Sequence, residues 1–249
     1  MRHVEHVMGT VVSIELADEV PESDLSGFVD MTCAWLHEVD GRFSTYKPDS
    51  EVCRLRDGTL KPADASPDLR LVLDRCADLW RDTDGYFDAY AGGALDPSGY
   101  VKGWSVEVAS QRLAAAGSQR HFLSAGGDIR MRGAGPGGRP WRVGVRHPFE
   151  ADKLAWVLSL TDGAVATSGT YERGAHVFDP RTGKPAAGLR SVTVVGPDLA
   201  VADAYATAAL AMGERGLAWL AKRVADGYES AAVTDDGRAF TSPGLPVVS

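Results

Sequence analysis

Three stretches carry side chains whose types and spacing could do chemistry. In "AHVFDPRTG", residues 175–183, His176 is followed three residues on by Asp179 and then by Arg181. An imidazole is the side chain best suited to take a proton near neutral pH, although the same stretch reads equally as a strand entering a tight turn. In "VADAYATAAL", residues 201–210, Asp203 and Thr207 are four apart, so on a helix they share one face. Both are hard oxygen donors of the kind Mg²⁺ accepts, while an aspartate near a helix start also has a plain electrostatic reason to be there. In "LDPSGYVKGW", residues 95–104, Pro97, Ser98 and Gly99 force a turn. A backbone carbonyl of that turn could reach a cation and Lys102 could meet a phosphate; the alternative is a capped helix start with a solvated lysine.

Three further stretches are weaker. "TDGYFDAY", residues 83–90, sets Tyr86 and Phe87 between aspartates; the rings belong in a core by default, and Asp88 is the less expected neighbour. Tyr46 lies in the polar loop "FSTYKPDSE", where a ring can stack on a flat heterocycle or pack against a helix. The glycine pair before Asp128 in "GGDIR" permits positive φ and close backbone approach, or simply a turn between strands. "GAGPGG" at 133–138 formally matches a dinucleotide fingerprint, but the strand-like "RPWRVGV" follows where a helix is required. It is read as a hairpin loop, and no phosphate-binding GxxxxGK[ST] run exists.

The elements that would position these residues follow from periodicity. A strand is predicted over 8–16, a helix over 23–39, a loop leading into a short helix near Val52, and a clear helix over 67–82 with Pro67 at its start. A Gly- and Asp-rich passage precedes a helix that Lys102-Gly103 opens and that runs to about Ala116. From residue 119 to 196 short strands alternate with turns. Two helices, 199–212 and 214–225, then close the body, and a last hairpin turns at Asp236-Gly237. Helices and antiparallel-looking strands are segregated, which argues an α+β fold. No repeat or linker divides the chain, so 1–249 reads as one domain or two intimate α/β halves, roughly 1–118 and 119–249.

Composition narrows the function classes. Hydrophobic residues make up 44% and charged residues 24% of 249 positions, ordinary for a globular chain. The net charge of −8 argues against a general nucleic-acid partner, because phosphates need neutralising cations. A phosphorylated ligand would need local basic residues or a bridging metal. Cys33, Cys53 and Cys76 show no CxxC or Cys/His ligand spacing, so neither a disulfide framework nor a structural zinc site is expected. No membrane-spanning apolar run exists, and "MRHVEHVMGTVVSIEL" lacks both a signal-peptide core and a lipobox-like cysteine. A cytoplasmic location is the expectation.

The order of the motifs is more telling than any one of them. "MGT", "STYKPDSEV", "TDGYFDA", "DPSGYVKGW", "AGGDIR", "AVATSG", "HVFDPRTG" and "ADAYATAAL" followed by Gly213 together resemble the ApbE-like FAD:protein FMN transferases, once called thiamine-biosynthesis lipoproteins. The resemblance runs in register from about Met8 to Gly213. It implies an α+β, T-fold-related architecture with mixed, largely antiparallel sheets, packed helices and an FAD cleft between the halves. It implies FAD as substrate, Mg²⁺ at the pyrophosphate, and transfer of FMN to a Thr or Ser hydroxyl of a partner protein with release of AMP. Hydrolysis of FAD to FMN and AMP, or FAD binding without catalysis, are the alternatives.

Carried over residue by residue, the resemblance assigns FAD contacts to Met8, Tyr46, Tyr86, Phe87, Asp88, Asp96, Lys102, Val177 and Phe178. The metal ligands would be the Gly99 carbonyl and the Asp203 and Thr207 side chains. Ala206 stands where some members carry an oxygen-donor residue and could offer only its carbonyl. Asp203 and His176 are the catalytic candidates, with His176 near the reacting phosphate as the base. The chain departs from the pattern between "FD" and the lysine motif, where "AYAGGAL" replaces a longer segment.

Overall fold

A computed structural model describes residues 1–170 and 177–248. Its main sheet has eight strands in the order β1-β2-β3-β4-β7-β10-β11-β12, and every pairing in it is antiparallel. β1 (Arg2–Val7) and β2 (Thr10–Leu16) form a hairpin at one edge, followed inward by β3 (His121–Ala125), β4 (Asp128–Arg132), β7 (Gly163–Gly169) and β10 (Leu189–Gly196). β11 (Glu229–Thr234) and β12 (Ala239–Thr241) complete the far edge around the turn expected at Asp236-Gly237. Strands from both sides of residue 118 therefore share one sheet.

The helices are α1 (Glu22–Phe43), α2 (Glu51–Arg56), α3 (Pro67–Asp82), α4 (Ser98–Ala116), α5 (Leu199–Met212) and α6 (Arg215–Arg223). Ser66 begins α3 by accepting a hydrogen bond from the Leu69 N–H at 3.2 Å, the capping that the Ser-Pro start favours. α4 and α5 are buried almost all round, so they form the central layer between the sheet and the outer helices. Alternation decides what each face of the sheet does. Val12, Ile14 and Leu16 of β2 and Ala164 and Ala166 of β7 join the helix-side core. Ile129, Met131 and Val165 point the other way, into a smaller core closed by a two-stranded ribbon of β5 (Trp141–Arg146) and β6 (Leu154–Leu160).

The structure differs from the sequence reading in several particulars. The strand expected over 8–16 begins at Thr10, because Met8 and Gly9, at φ 54° and 66°, make the two-residue turn that joins it to β1. α4 begins at Ser98, so Lys102 stands a full turn inside the helix and does not open it. The 133–138 glycine loop is a turn, as read, but not a hairpin: it leads from β4 in the main sheet to β5 in the ribbon.

Candidate active site

Three elements converge on one group of charges. β4 follows a tight turn at Gly126-Gly127, at φ 57° and 97°, so Asp128 is its first residue and faces the helices. α4 brings Lys102, and the opening turns of α5 bring Asp203. The Lys102 Nζ lies 2.5 Å from Asp128 Oδ2 and 3.7 Å from Asp203 Oδ2. Asp128 is 1% and Asp203 3% exposed. Asp128 Oδ1 also accepts a hydrogen bond from the Thr167 N–H of β7 at 3.1 Å.

The positions are held by packing and by a second buried ion pair. α5 starts where Asp198 accepts from the Val201 N–H at 3.0 Å. Glu107, five residues along α4 from Lys102, accepts from the Leu199 N–H at the α5 start (3.0 Å) and pairs with Arg130 at 3.0 Å. Arg130 is two residues from Asp128, on the same face of β4. One carboxylate thus ties together the three elements that carry Lys102, Asp128 and Asp203. Gly103 allows α4 and α5 to approach: a Cβ there would sit 2.8 Å from the Leu199 carbonyl oxygen and 3.2 Å from the Asp203 Cβ.

Electrostatics mark Asp203. Burial, reinforced by the charge of Asp128, raises its carboxyl well above the usual carboxylate range, with Lys102 and the Gly103 N–H opposing. Its Oδ2 and that of Asp128 are both buried and both face the Lys102 ammonium. Thr207, one helical turn after Asp203, meets Ser168 of β7 through hydroxyls 3.1 Å apart. This oxygen-only donor set, rich in negative charge, suits a hard divalent cation such as Mg²⁺. Ala206 is buried, offering nothing but backbone, and Gly99 is exposed in the first turn of α4.

The other candidate residues surround this group unevenly. Phe87 packs beneath Gly99, 3.5 Å from where a Cβ would stand, and its N–H is held by Thr83 Oγ1 at 2.9 Å. Tyr86 is buried, and its hydroxyl accepts from Arg215 Nη2 at 2.7 Å. Arg181 lies over the Tyr86 ring at 4.8 Å and pairs with Asp84, which joins the "FDPRTG" stretch to the "DGYFD" stretch. Asp88 and Asp96 each accept a local backbone hydrogen bond, from the N–H groups of Tyr90 (2.8 Å) and Ser98 (3.0 Å). Val177 packs on the core and Phe178 is 47% exposed. Met8 is half-buried at its turn and packs on the core, whereas the Tyr46 ring is 92% exposed. His176 lies outside the described residues.

Asp128 is the functional candidate that sequence reasoning left unassigned. Its motif drew notice for the glycines, yet the glycine turn serves to deliver the carboxylate. The only sequence signal was an acid directly after a Gly-Gly pair.

Comparison with known proteins adds three findings. The sequence model of the ApbE family matches residues 8–95 and 89–230. An FAD:protein FMN transferase of Rhodobacter capsulatus is 37% identical over 158 residues, covering 60% of this chain but 30% of that protein. One of Vibrio cholerae is 27% identical and covers 85% of this chain and 81% of the relative. Among solved structures, the flavin transferase ApbE from Vibrio cholerae superposes with a TM-score of 0.89 at 24% identity, covering 100% of this chain and 99% of that one. The ApbE protein of Thermotoga maritima gives 0.87 at 23% identity, with 98% and 97% covered.

Proposed function

Because the chain belongs to the ApbE family, we propose that it is an Mg²⁺-dependent FAD:protein FMN transferase that attaches FMN to a Thr or Ser hydroxyl of a partner protein and releases AMP. The observation that carries this reading is the pair of buried carboxylates, Asp128 and Asp203, set around Lys102. Such a cluster suits the joint binding of a divalent cation and a diphosphate, because on a chain of net charge −8 the diphosphate needs local neutralisation.

Asp203 and Thr207, with the carbonyls of Gly99 and Ala206, would hold the ion. When bound, it supplies charge neutralisation at the pyrophosphate oxygens. The protein's own residues do the rest. Lys102, fixed by Asp128, presents an ammonium to a phosphate oxygen. Phe87 and Tyr86 form an apolar floor, and Phe178 offers an exposed ring toward the flavin. Met8, Tyr46, Asp88, Asp96 and Val177 complete the proposed FAD contacts. His176 takes the proton from the incoming hydroxyl; His176→Ala retaining near wild-type transfer would remove that role. Three unpaired cysteines agree with a cytoplasmic setting.

Incubation with FAD and Mg²⁺, with and without a co-expressed candidate acceptor, tests the proposal. The expected result is AMP release together with an FMN mass increment on a Thr or Ser of the acceptor. Free FMN and AMP without acceptor would make the chain a hydrolase, and bound FAD without AMP under any divalent cation would make it a carrier. Asp203→Asn is expected to lower turnover by about 10²-fold or more and to abolish the Mg²⁺-dependent rise in melting temperature expected of the wild-type protein with FAD present.

A further inference from the structure

Side chains of types that can ligate a metal also gather where α1 crosses the edge strand β1. His3 and Glu5 are two apart on β1 and so share its helix-facing side with Val7, which is buried in the core. Cys33 and His37 are four apart on α1, one turn from each other on a single face. Glu5 joins the two elements: its Oε2 is 3.2 Å from His3 Nε2 and its Oε1 is 3.1 Å from His37 Nε2. The Cys33 Sγ lies within 4.8 Å of the same carboxylate. Donor atoms of His3, Glu5 and Cys33 all lie within 4.8 Å of one another, and the three residues are half-buried.

We infer that His3, Glu5, Cys33 and His37 form a four-ligand site for one borderline-soft divalent metal ion, Zn²⁺ in the first instance, that fastens β1 to α1. Two imidazoles, a thiolate and a carboxylate are a closed tetrahedral zinc set, and the thiolate disfavours Mg²⁺. The spacing suits it: nitrogen and oxygen donors on a zinc tetrahedron stand about 3.3 Å apart, close to the two His–Glu separations. Sulfur approaches within the same shell by a side-chain rotation. Burial and the neighbouring Glu5 push the Cys33 thiol up to about 11, so it carries its proton until an ion displaces it.

The site is independent of the proposed transferase reaction, and its sequence signal was present but unread. Comparing cysteines with one another misses the Cys33-to-His37 helical step, and the other two ligands come from a strand that the sequence reading did not anticipate.

Untagged full-length protein, stripped with chelator and dialysed into excess Mg²⁺, should be titrated with Co²⁺ and then Zn²⁺. The expected result is one Co²⁺ per chain with a thiolate-to-cobalt charge-transfer band, displaced by one equivalent of Zn²⁺, and a zinc-dependent rise in melting temperature. Cys33→Ser should abolish the band. His37→Ala, at a half-exposed position that tolerates truncation, should weaken Zn²⁺ binding by at least about tenfold, the loss that even outer-shell partners of a metal cause. Asp203→Asn should leave the band intact. Absence of the band in the wild-type protein, its survival in Cys33→Ser, wild-type affinity in His37→Ala, or its loss in Asp203→Asn would each overturn the assignment.

Discussion

At the scale of single residues, the active-site candidates divide by the work that their surroundings require of them. Lys102 stands between two carboxylates that burial would otherwise force apart or neutralise. Lys102→Met should therefore reduce stability by about 2 kcal/mol in urea unfolding, less than for a fully buried pair because the lysine keeps some solvent contact. An unchanged unfolding midpoint would mean that the lysine is held for ligand contact alone. Asp203 and Thr207 were legible as a pair because helical spacing is local. Asp128 was not, because its relation to Lys102 crosses 26 residues and depends on which face of β4 it takes.

At the scale of elements, the site depends on how closely α4 and α5 approach. Gly103 meets the backbone at the start of α5 with no room for a methyl group, and the two nearest atoms are main chain, which cannot rotate away. Gly103→Ala should destabilise the protein by about 1–3 kcal/mol, the range for overpacking, and should lower turnover by displacing Asp203 from Lys102. Urea midpoints and FAD turnover measured on the same preparation check both effects; loss of stability with full turnover would show that the helices part without disturbing the site. The helices over 67–82 and 199–212 were readable from capping signals and apolar spacing. The edge strand β1 was not, because "RHVEHV" carries two histidines and a glutamate where apolar alternation would mark a strand.

At the scale of the whole molecule, pH acts on folding through a buried histidine that no motif flagged. His121 on β3 is fully buried, its Nε2 2.8 Å from Ser110 Oγ and its Nδ1 3.2 Å from Ser118 Oγ. Burial, with Arg132 adding to it, lowers its pKa from 6.5 to about 4. Between those values the unfolded chain binds a proton that the native chain refuses, so stability falls as pH drops from 6.5 toward 4. The full contribution is about 3 kcal/mol, at 1.36 kcal/mol per pKa unit. The wild-type stability advantage over His121→Gln should accordingly shrink across that window; a constant difference between the two in urea unfolding at pH 7, 5.5 and 4.5 would contradict it.

What the sequence determined by itself is whatever short-range physics encodes: helix periods and caps, the glycine turns, the Asp203–Thr207 face and the ordered motifs that marked the family. What only the tertiary structure decided is which distant segments share a surface. One antiparallel sheet sets Asp128 opposite Lys102 and Asp203, and the crossing of β1 by α1 gathers His3, Glu5, Cys33 and His37. Each element offers a local spacing, such as the Cys33-to-His37 helical step, but nothing along the chain says which elements meet. Strand pairing and helix packing fix them, and those contacts depend on the burial of both faces of the sheet at once.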